Sequence, residues 1–361
     1  MFLFWHGRKK PEKRRLSVFF TVALSGMKKS FFSFFLPVMW TVFCLCSCNQ
    51  SCSLVEGKKN AGVNSVKVLN WNLQTFFDGN FNGNEYSEFS SGAAGWNKEK
   101  YDVRLERLSE VVKSVDPDIF VMQELESEDQ LYDIFNRLCS NFSLSKNYGY
   151  GCFFKEEGGA IGCGVLSRYP LFGKSVHSLD IRSEEESQPS MRPLLKVFVN
   201  VNDRPLLLLI NHWKSKSGGE EKSEVWRNYQ EAVLAETFVR CAEDKIPAAA
   251  CGDFNRDILE FRKIAGRKLQ FNVELNGENP AQVYSPWYDS EGNLLEPGSY
   301  FYNGNWERID HFFAGSGVSL CDFKVENKGS WANADGTPAK YIVKYGSGYS
   351  DHFPVSCVVT W

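Results

Sequence analysis

The sequence predicts an α/β four-layer sandwich: two packed mixed β-sheets flanked by helices. Three observations carry this expectation. Short apolar runs that read as strands outnumber the helical segments. Hairpin-length connections are mixed with helical crossovers, which gives both antiparallel and parallel neighbours. Several strand-like runs end in a carboxylate, an amide or an imidazole, and strand ends hold such groups at fixed places. A doubly wound single sheet is the alternative, and no glycine-rich nucleotide loop supports it.

The elements follow in order. Val66-Lys67-Val68-Leu69-Asn70-Trp71 alternates and predicts the first strand. Residues 79–95, rich in Gly, Asn and Ser, form a long loop too polar to pack well. Tyr101, Leu105, Leu108, Val111, Val112 and Val115 have helical spacing within 97–115, and Asp116-Pro117 stops the helix. Ile119-Phe120-Val121-Met122 is a buried strand, and 129–139 a helix. Strands are expected near 151–154, 160–167, 194–201 and 206–210, followed by a long helix over 220–241. A strand at 247–251, a short helix at 258–265 and strands near 308–314, 318–325 and 355–359 complete the chain.

With 361 residues, 43% hydrophobic and 24% charged, the chain can build one large domain or two small ones. Its net charge of -3 gives no global reason to bind nucleic acid, although a local basic cleft would suffice. Met27-Lys28-Lys29 followed by an apolar, Phe-rich stretch and Cys46-Ser47-Cys48 has the order of a secretory signal. Leu45-Cys46-Ser47-Cys48 resembles a bacterial lipobox, with Cys48 as the lipidated residue. The apolar run is shorter than the roughly 20 residues a spanning helix needs, which disfavours an uncleaved anchor. Residues ahead of Met27 read as an upstream mis-start. The expected organisation is a signal and lipobox region over 1–48, a polar tether over 49–65 and one domain over 66–361, exported and lipid-anchored at the cell envelope. The 11 cysteines show no CxxC pair and no zinc spacing, and those in apolar runs read as buried thiols.

The polar residues that border strands suggest metal-assisted attack on a phosphate ester. Glu124 ends a buried run, where a carboxylate must be solvated, paired or bound to a cation. A hard divalent cation such as Mg²⁺ would suit oxygen ligands there. Asp253 and Asn255 follow an extended segment in which alternate residues face the same way, so both can reach one phosphate; the plainer reading is an Asp/Asn turn. His212 and His352 sit beside strand-like runs, and histidine exchanges protons near neutral pH. Asp310 can orient an imidazole and Asp351 can orient one or hold a metal, although each also reads as a solvated strand end. Asn72 can hold a metal-bound water or a phosphate oxygen without adding charge. Arg168, Arg192, Lys214 and Lys216 can supply positive charge, a weak signal because surface cations are common.

Taken in order, seven segments resemble the endonuclease/exonuclease/phosphatase superfamily with its DNase I-like fold. They are Trp71-Asn72-Leu73-Gln74, Gln123-Glu124, Leu166-Ser167-Arg168-Tyr169-Pro170, Asn211-His212-Trp213-Lys214-Ser215, Gly252-Asp253-Phe254-Asn255, Arg308-Ile309-Asp310-His311 and Ser350-Asp351-His352-Phe353-Pro354. The resemblance implies a metal-dependent phosphoesterase. Glu124 would hold Mg²⁺ or Mn²⁺, with Asn72 supporting metal and phosphate and Asp351 assisting at the metal. His212 and Asn255 would contact the scissile phosphate, and Asp253 would orient the attacking water. His352, paired with Asp310, would act as general base or stabilise the transition state. Arg168 and Lys214 would bind substrate. Some repair-type members carry an acid two residues after the first Asn; Gln74 stands there instead, which weakens a repair role.

The leading expectation is an envelope-anchored, monomeric nuclease acting on DNA or RNA. A lipid-directed phosphoesterase is the alternative, motivated by Tyr284, Trp287, Tyr288, Tyr300, Phe301, Tyr302 and Trp306. Core packing is the preferred reading of that aromatic stretch. An inactive binding protein on the same fold is the third.

Overall fold

The computed structural model describes residues 64–361, apart from residue 91 and residues 142–145, 180–187, 265–271 and 277–279. Cys48, the leader and nearly all of the tether lie outside the described residues. Val63–Trp361 is one compact unit.

Strand β1 (Ser65–Phe76) is followed by a helical turn α1 (Ser87–Ser90), then α2 (Lys98–Val115), β2 (Ile119–Leu125) and α3 (Glu128–Asn141). Next come β3 (Tyr150–Phe154), β4 (Gly162–Ser167), β5 (Leu171–His177), β6 (Leu194–Val201) and β7 (Arg204–His212). Helix α4 (Glu220–Glu243) leads to β8 (Ala248–Asp253) and the short strands β9 (Arg262–Lys263), β10 (Asn272–Glu274) and β11 (Gln282–Tyr284). A hairpin of β12 (Tyr300–Tyr302) and β13 (Asn305–Glu307) precedes β14 (Asp310–Ala314), β15 (Ser319–Val325) and β16 (Val355–Thr360).

These strands form a six-stranded sheet, β15-β16-β1-β2-β4-β3, and an eight-stranded sheet, β5-β6-β7-β8-β14-β11-β10-β9. In each sheet one central pair is parallel: β1 with β2 across α2, and β7 with β8 across α4. The other pairs are antiparallel. The same plan is therefore used twice, and the carboxyl ends of β1, β2, β7 and β8 carry the polar residues that the sequence singles out.

Alternation on the pleat explains why the central strands are apolar throughout. Val66, Val68, Ile119 and Val121 join the core shared with Val197, Val199 and Leu208 of the other sheet. Leu69, Trp71, Phe120 and Met122 face the other way, onto Leu105, Leu108, Val112 and Ile134 of α2 and α3. Asn97 caps α2 by accepting the Lys100 N–H at 3.0 Å, and Asp116, in the left-handed region, closes its other end onto the Val112 carbonyl.

The structure refines three local expectations. The 79–95 segment stays mostly exposed, as its polarity predicts, but one ring anchors it: Phe89 is fully buried, its ring centroid 4.9 Å from that of Phe77 and 5.1 Å from that of Trp96. A polar composition concealed one anchoring ring. The short helix expected over 258–265 is a single 3-10 turn, Ile258–Glu260, capped by Asp257. Phe261 turns extended because its ring is buried against His311 and Phe313, and Arg262 then pairs with Glu274 in the sheet. The strand expected from residue 308 begins at Asp310, and the edge strand β5 and the short β9–β13 carry too little apolar pattern to be read in advance. Trp287 and Tyr288 are buried, as core packing requires, but Tyr300, Phe301 and Trp306 are only partly buried and Tyr302 is exposed.

Gly252 shows how tightly the strand ends are fitted. Its φ is 148°, and a Cβ there would lie 2.0 Å from the Asn211 carbonyl oxygen. Gly252→Ala is expected to cost at least about 2 kcal/mol of unfolding free energy through steric clash and backbone strain, measured by urea denaturation of the soluble domain.

Candidate active site

The parallel registers set the site. Asn72 lies opposite Gln123 in the first sheet, and His212 lies opposite Asp253 in the second. Asp310 pairs antiparallel with Asp253. Asn72, Glu124, His212, Asp253, Asn255, Asp351 and His352 consequently line one cleft of about 1140 Å³.

Asn72 links the sheets. Its Nδ2 donates to Asp253 Oδ2 at 2.9 Å and to Glu124 Oε1 at 3.3 Å, while its Oδ1 accepts the Gln74 N–H at 2.9 Å. The amide nitrogen therefore faces the carboxylates and separates them, which places Asn72 beside Glu124, where it was expected to support a metal. Glu124 also accepts the Thr75 N–H. Asp253 accepts the Asn255 N–H at 2.8 Å and Asn255 Nδ2 at 3.1 Å. Asn255 reaches this position through a left-handed backbone, φ 47°, and not by strand alternation. Gln74, Thr75 and Glu124 are also left-handed, at φ 54°, 47° and 68°, so strained backbone clusters at this rim.

The two histidines differ in charge. His352 Nδ1 lies 2.8 Å from Asp310 Oδ2. Burial alone would push the imidazole down; the Asp310 carboxylate more than reverses that and lifts it to about 10, with Asp253 and Asp351 adding to the effect. His352 is thus an imidazolium at neutral pH. It takes no proton in that state, and its Nε2–H is left to donate. His212 is driven far below the ordinary histidine range by burial, with Arg192 and His352 repelling a second charge. Its Nε2 lies 3.5 Å from Glu124 Oε1 and 3.7 Å from Asp253 Oδ2. Burial lifts the Asp253 carboxyl to about 7 against the pull of charged His352.

Other expected site residues lie elsewhere or differently. Arg168 is at the opposite end of the first sheet, because β4 runs antiparallel to β2. It pairs with Asp116 and Asp118, at 2.5 and 3.4 Å, and does not line the cleft. Lys214 turns aside, its Nζ 3.3 Å from the Ser215 carbonyl; Lys216 lines the cleft in its place, held by Glu220, Glu260 and Glu307. Asp351 lines the cleft with its Oδ2 3.5 Å from Lys340 Nζ. His311 is core: it is fully buried, with Nε2 2.8 Å from the Arg256 carbonyl oxygen.

Sequence reasoning missed the support beneath Glu124. Arg104 of α2 is fully buried and donates to three successive carbonyls, those of Leu73, Gln74 and Thr75. Its guanidinium sits 3.8 Å from the Tyr341 ring centroid and 4.7 Å from that of Phe76. Burial lowers it only to about 10, so it stays charged at neutral pH. Gln74 is latched to the same region, donating to the Tyr341 carbonyl at 3.0 Å and accepting the Tyr341 N–H at 2.9 Å. Arg104 was legible in principle, as a cation at helical spacing on the apolar stripe of Tyr101, Leu105 and Leu108.

The donor set suits a hard divalent cation. Glu124 is strand-held, only partly buried and close to a second carboxylate, with room in the cleft for retained waters. Among the described residues no cluster of three or more His, Cys, Asp or Glu forms a ready-made cage. An ion there would be held by few protein ligands, Glu124 first.

The family model for the endonuclease/exonuclease/phosphatase family matches residues 69–352. The chain belongs to that family. Members of the endonuclease/exonuclease/phosphatase family are metal-dependent phosphoester hydrolases. Among solved structures, truncated Caenorhabditis elegans TDP2 is similar at 15% identity and TM-score 0.52, covering 82% of this chain and 98% of that one. A family protein from Bacteroides thetaiotaomicron is similar at 16% identity and TM-score 0.50, covering 83% and 99%. A humanized D. rerio TDP2 is similar at 16% identity and TM-score 0.51, covering 82% and 98%. At these identities the likeness is one of fold. No curated protein matches.

Two outcomes follow from this geometry. Arg104→Met should cost about 3 kcal/mol in urea denaturation, because buried carbonyls lose their donors, and should weaken Mn²⁺ binding measured by calorimetry. The second concerns His352. Because its folded pKa is raised from 6.5 to about 10, the stability it contributes is full below pH 6.5 and is lost as pH rises towards 10. In EDTA, the stability gap between wild type and Asp310→Asn should therefore be widest near pH 6 and close towards pH 10.

Proposed function

We propose that this endonuclease/exonuclease/phosphatase family member is a Mg²⁺- or Mn²⁺-dependent nuclease, acting as a monomer on short or single-stranded stretches of DNA or RNA. By the sequence alone, it would be exported and lipid-anchored through Cys48. The observation that carries the catalytic reading is the buried Asp310–His352 pair, 2.8 Å apart, opening on the same cleft as Glu124 and Asp253. A bound divalent ion supplies charge neutralisation of the phosphate and a more acidic water. Water adds to phosphorus, the ester P–O bond breaks, and the leaving oxygen keeps the bonding pair and takes a proton from solvent water. Asp253, with its pKa raised into the neutral range, takes the proton of the attacking water. His352 donates Nε2–H to a phosphoryl oxygen as charge builds. His212 and Asn255 orient the phosphate as neutral partners.

The cleft's charge supports a short substrate. Six carboxylates and three lysines line it among the described residues, and Lys216 is already paired with glutamates. A long duplex requires a continuous basic track to replace its counterions. One observation favours a second reading, a lipid phosphoesterase: Tyr302 and Ile342, both lining the cleft, are exposed, and nearby Tyr345 is more exposed still.

The deciding experiment offers single-stranded DNA, RNA, plasmid, sphingomyelin and a phosphoinositide to the soluble domain with Mg²⁺ or Mn²⁺. Oligonucleotide cleavage is expected, abolished by EDTA and reduced about 10²- to 10⁴-fold in His352→Ala. Head-group release without nucleic-acid cleavage would transfer the assignment to the lipid reading.

A further inference from the structure

The β12–β13 hairpin presents two different faces. Tyr300 pairs with Glu307, Phe301 with Trp306 and Tyr302 with Asn305, around an Asn303-Gly304 turn whose residues have φ 48° and 82°. Two consecutive positive φ values make the tight turn that matches strand twist, so the hairpin is stiff. Its inner face is fixed: the Phe301 ring lies 5.1 Å from Trp306, which stacks at 5.9 Å and 18° on Phe353. Alternation on the strand then sends Tyr300 and Tyr302 to the opposite face, where both line the cleft.

Those two rings form a graded series leading out from the reaction centre. The Tyr300 ring lies 4.7 Å from the His352 imidazole. Tyr302 follows, near-parallel to Tyr300 at 15° and 6.1 Å, and is 56% exposed. An exposed ring, held nearly parallel to a half-buried one, offers a flat π-face one ring removed from His352. The divalent ion and charged His352 would answer the phosphate, and in a cleft richer in carboxylates than in lysines the rest of a substrate needs neutral contacts. Base stacking on an aromatic ring is such a contact and tolerates any base.

We propose that Tyr302, backed by Tyr300, is a platform for the nucleobase adjoining the scissile phosphate, and so a specificity determinant for nucleotide substrates. This rests on the nuclease reading for its substrate class. The platform is independent of the carboxylates and acts by stacking alone, so it discriminates a nucleotide from the same sugar phosphate without its base.

The test compares binding of AMP and ribose 5-phosphate by calorimetry in Ca²⁺ buffer, using wild type, Tyr302→Ala and Tyr302→Trp. Each variant is checked for an unchanged thermal transition, which the exposure of Tyr302 leads us to expect. Wild type should bind AMP about 5- to 100-fold more tightly than ribose 5-phosphate. Tyr302→Ala should bind the two alike, and Tyr302→Trp should keep the preference. Equal affinities in wild type, or a preference that survives in Tyr302→Ala, would overturn the platform. Tighter binding of glucose 6-phosphate than of AMP would also overturn it, in favour of a carbohydrate leaving group. Base-dependent binding by a protein that cleaves no oligonucleotide would sink the nuclease reading and leave the platform standing. Oligonucleotide cleavage by a protein indifferent to the base would do the reverse.

Discussion

One amide nitrogen ties the two sheets together at the site. Asn72 belongs to β1 of the first sheet, yet it donates to Asp253 of the second as well as to Glu124 of its own. Two carboxylates brought this close would repel each other. An NH₂ group has two protons, one for each, and adds no charge of its own. The position of Asn72 is fixed in turn by the parallel register of β1 and β2, and Ser350 Oγ donates to its carbonyl at 2.7 Å. Ser350 Oγ also accepts the His352 N–H at 3.1 Å, so the loop that carries His352 is hung from the same residue.

Around that tie the fold separates two chemically identical side chains into different states. His212 is buried among groups that disfavour a second positive charge and stays neutral. His352 is buried against Asp310 and stays charged. The Asp310 carbonyl accepts Trp287 Nε1 at 3.1 Å, so a core tryptophan helps fix the carboxylate that sets the charge of His352. Environments that push paired titratable groups apart are how one cleft holds both a proton donor and neutral hydrogen-bond partners.

The strand ends were legible because each apolar run terminates in a polar residue, and the fold places those termini together. Glu124 and Asp253 could be read in this way, while the pairing of Asp310 with His352 is what the family resemblance implies. What the sequence hid is polarity and distance. Arg168 follows an apolar run just as His212 does, but its strand runs the other way and carries it to the far end of the sheet. Lys214 and Lys216 differ by a turn that only the packing of α4 decides, since Gln230 of α4 accepts the Lys214 N–H at 2.8 Å. The link between Gln74 and Tyr341 joins residues far apart in the chain, and no local pattern announces it. Phe89, alone in a polar stretch, has too little company to show as a core residue.

Gln74 stands where the family resemblance would allow an acid, and both ends of its amide are already engaged by the Tyr341 backbone. A carboxylate has no proton to give the Tyr341 carbonyl, so residue 74 can fasten this segment or lend the cleft another negative charge, and cannot do both. Because the partners are the backbone N–H and carbonyl of Tyr341, the latch is specified by residue 74 alone: an acid there would keep the N–H contact and leave the carbonyl without its donor.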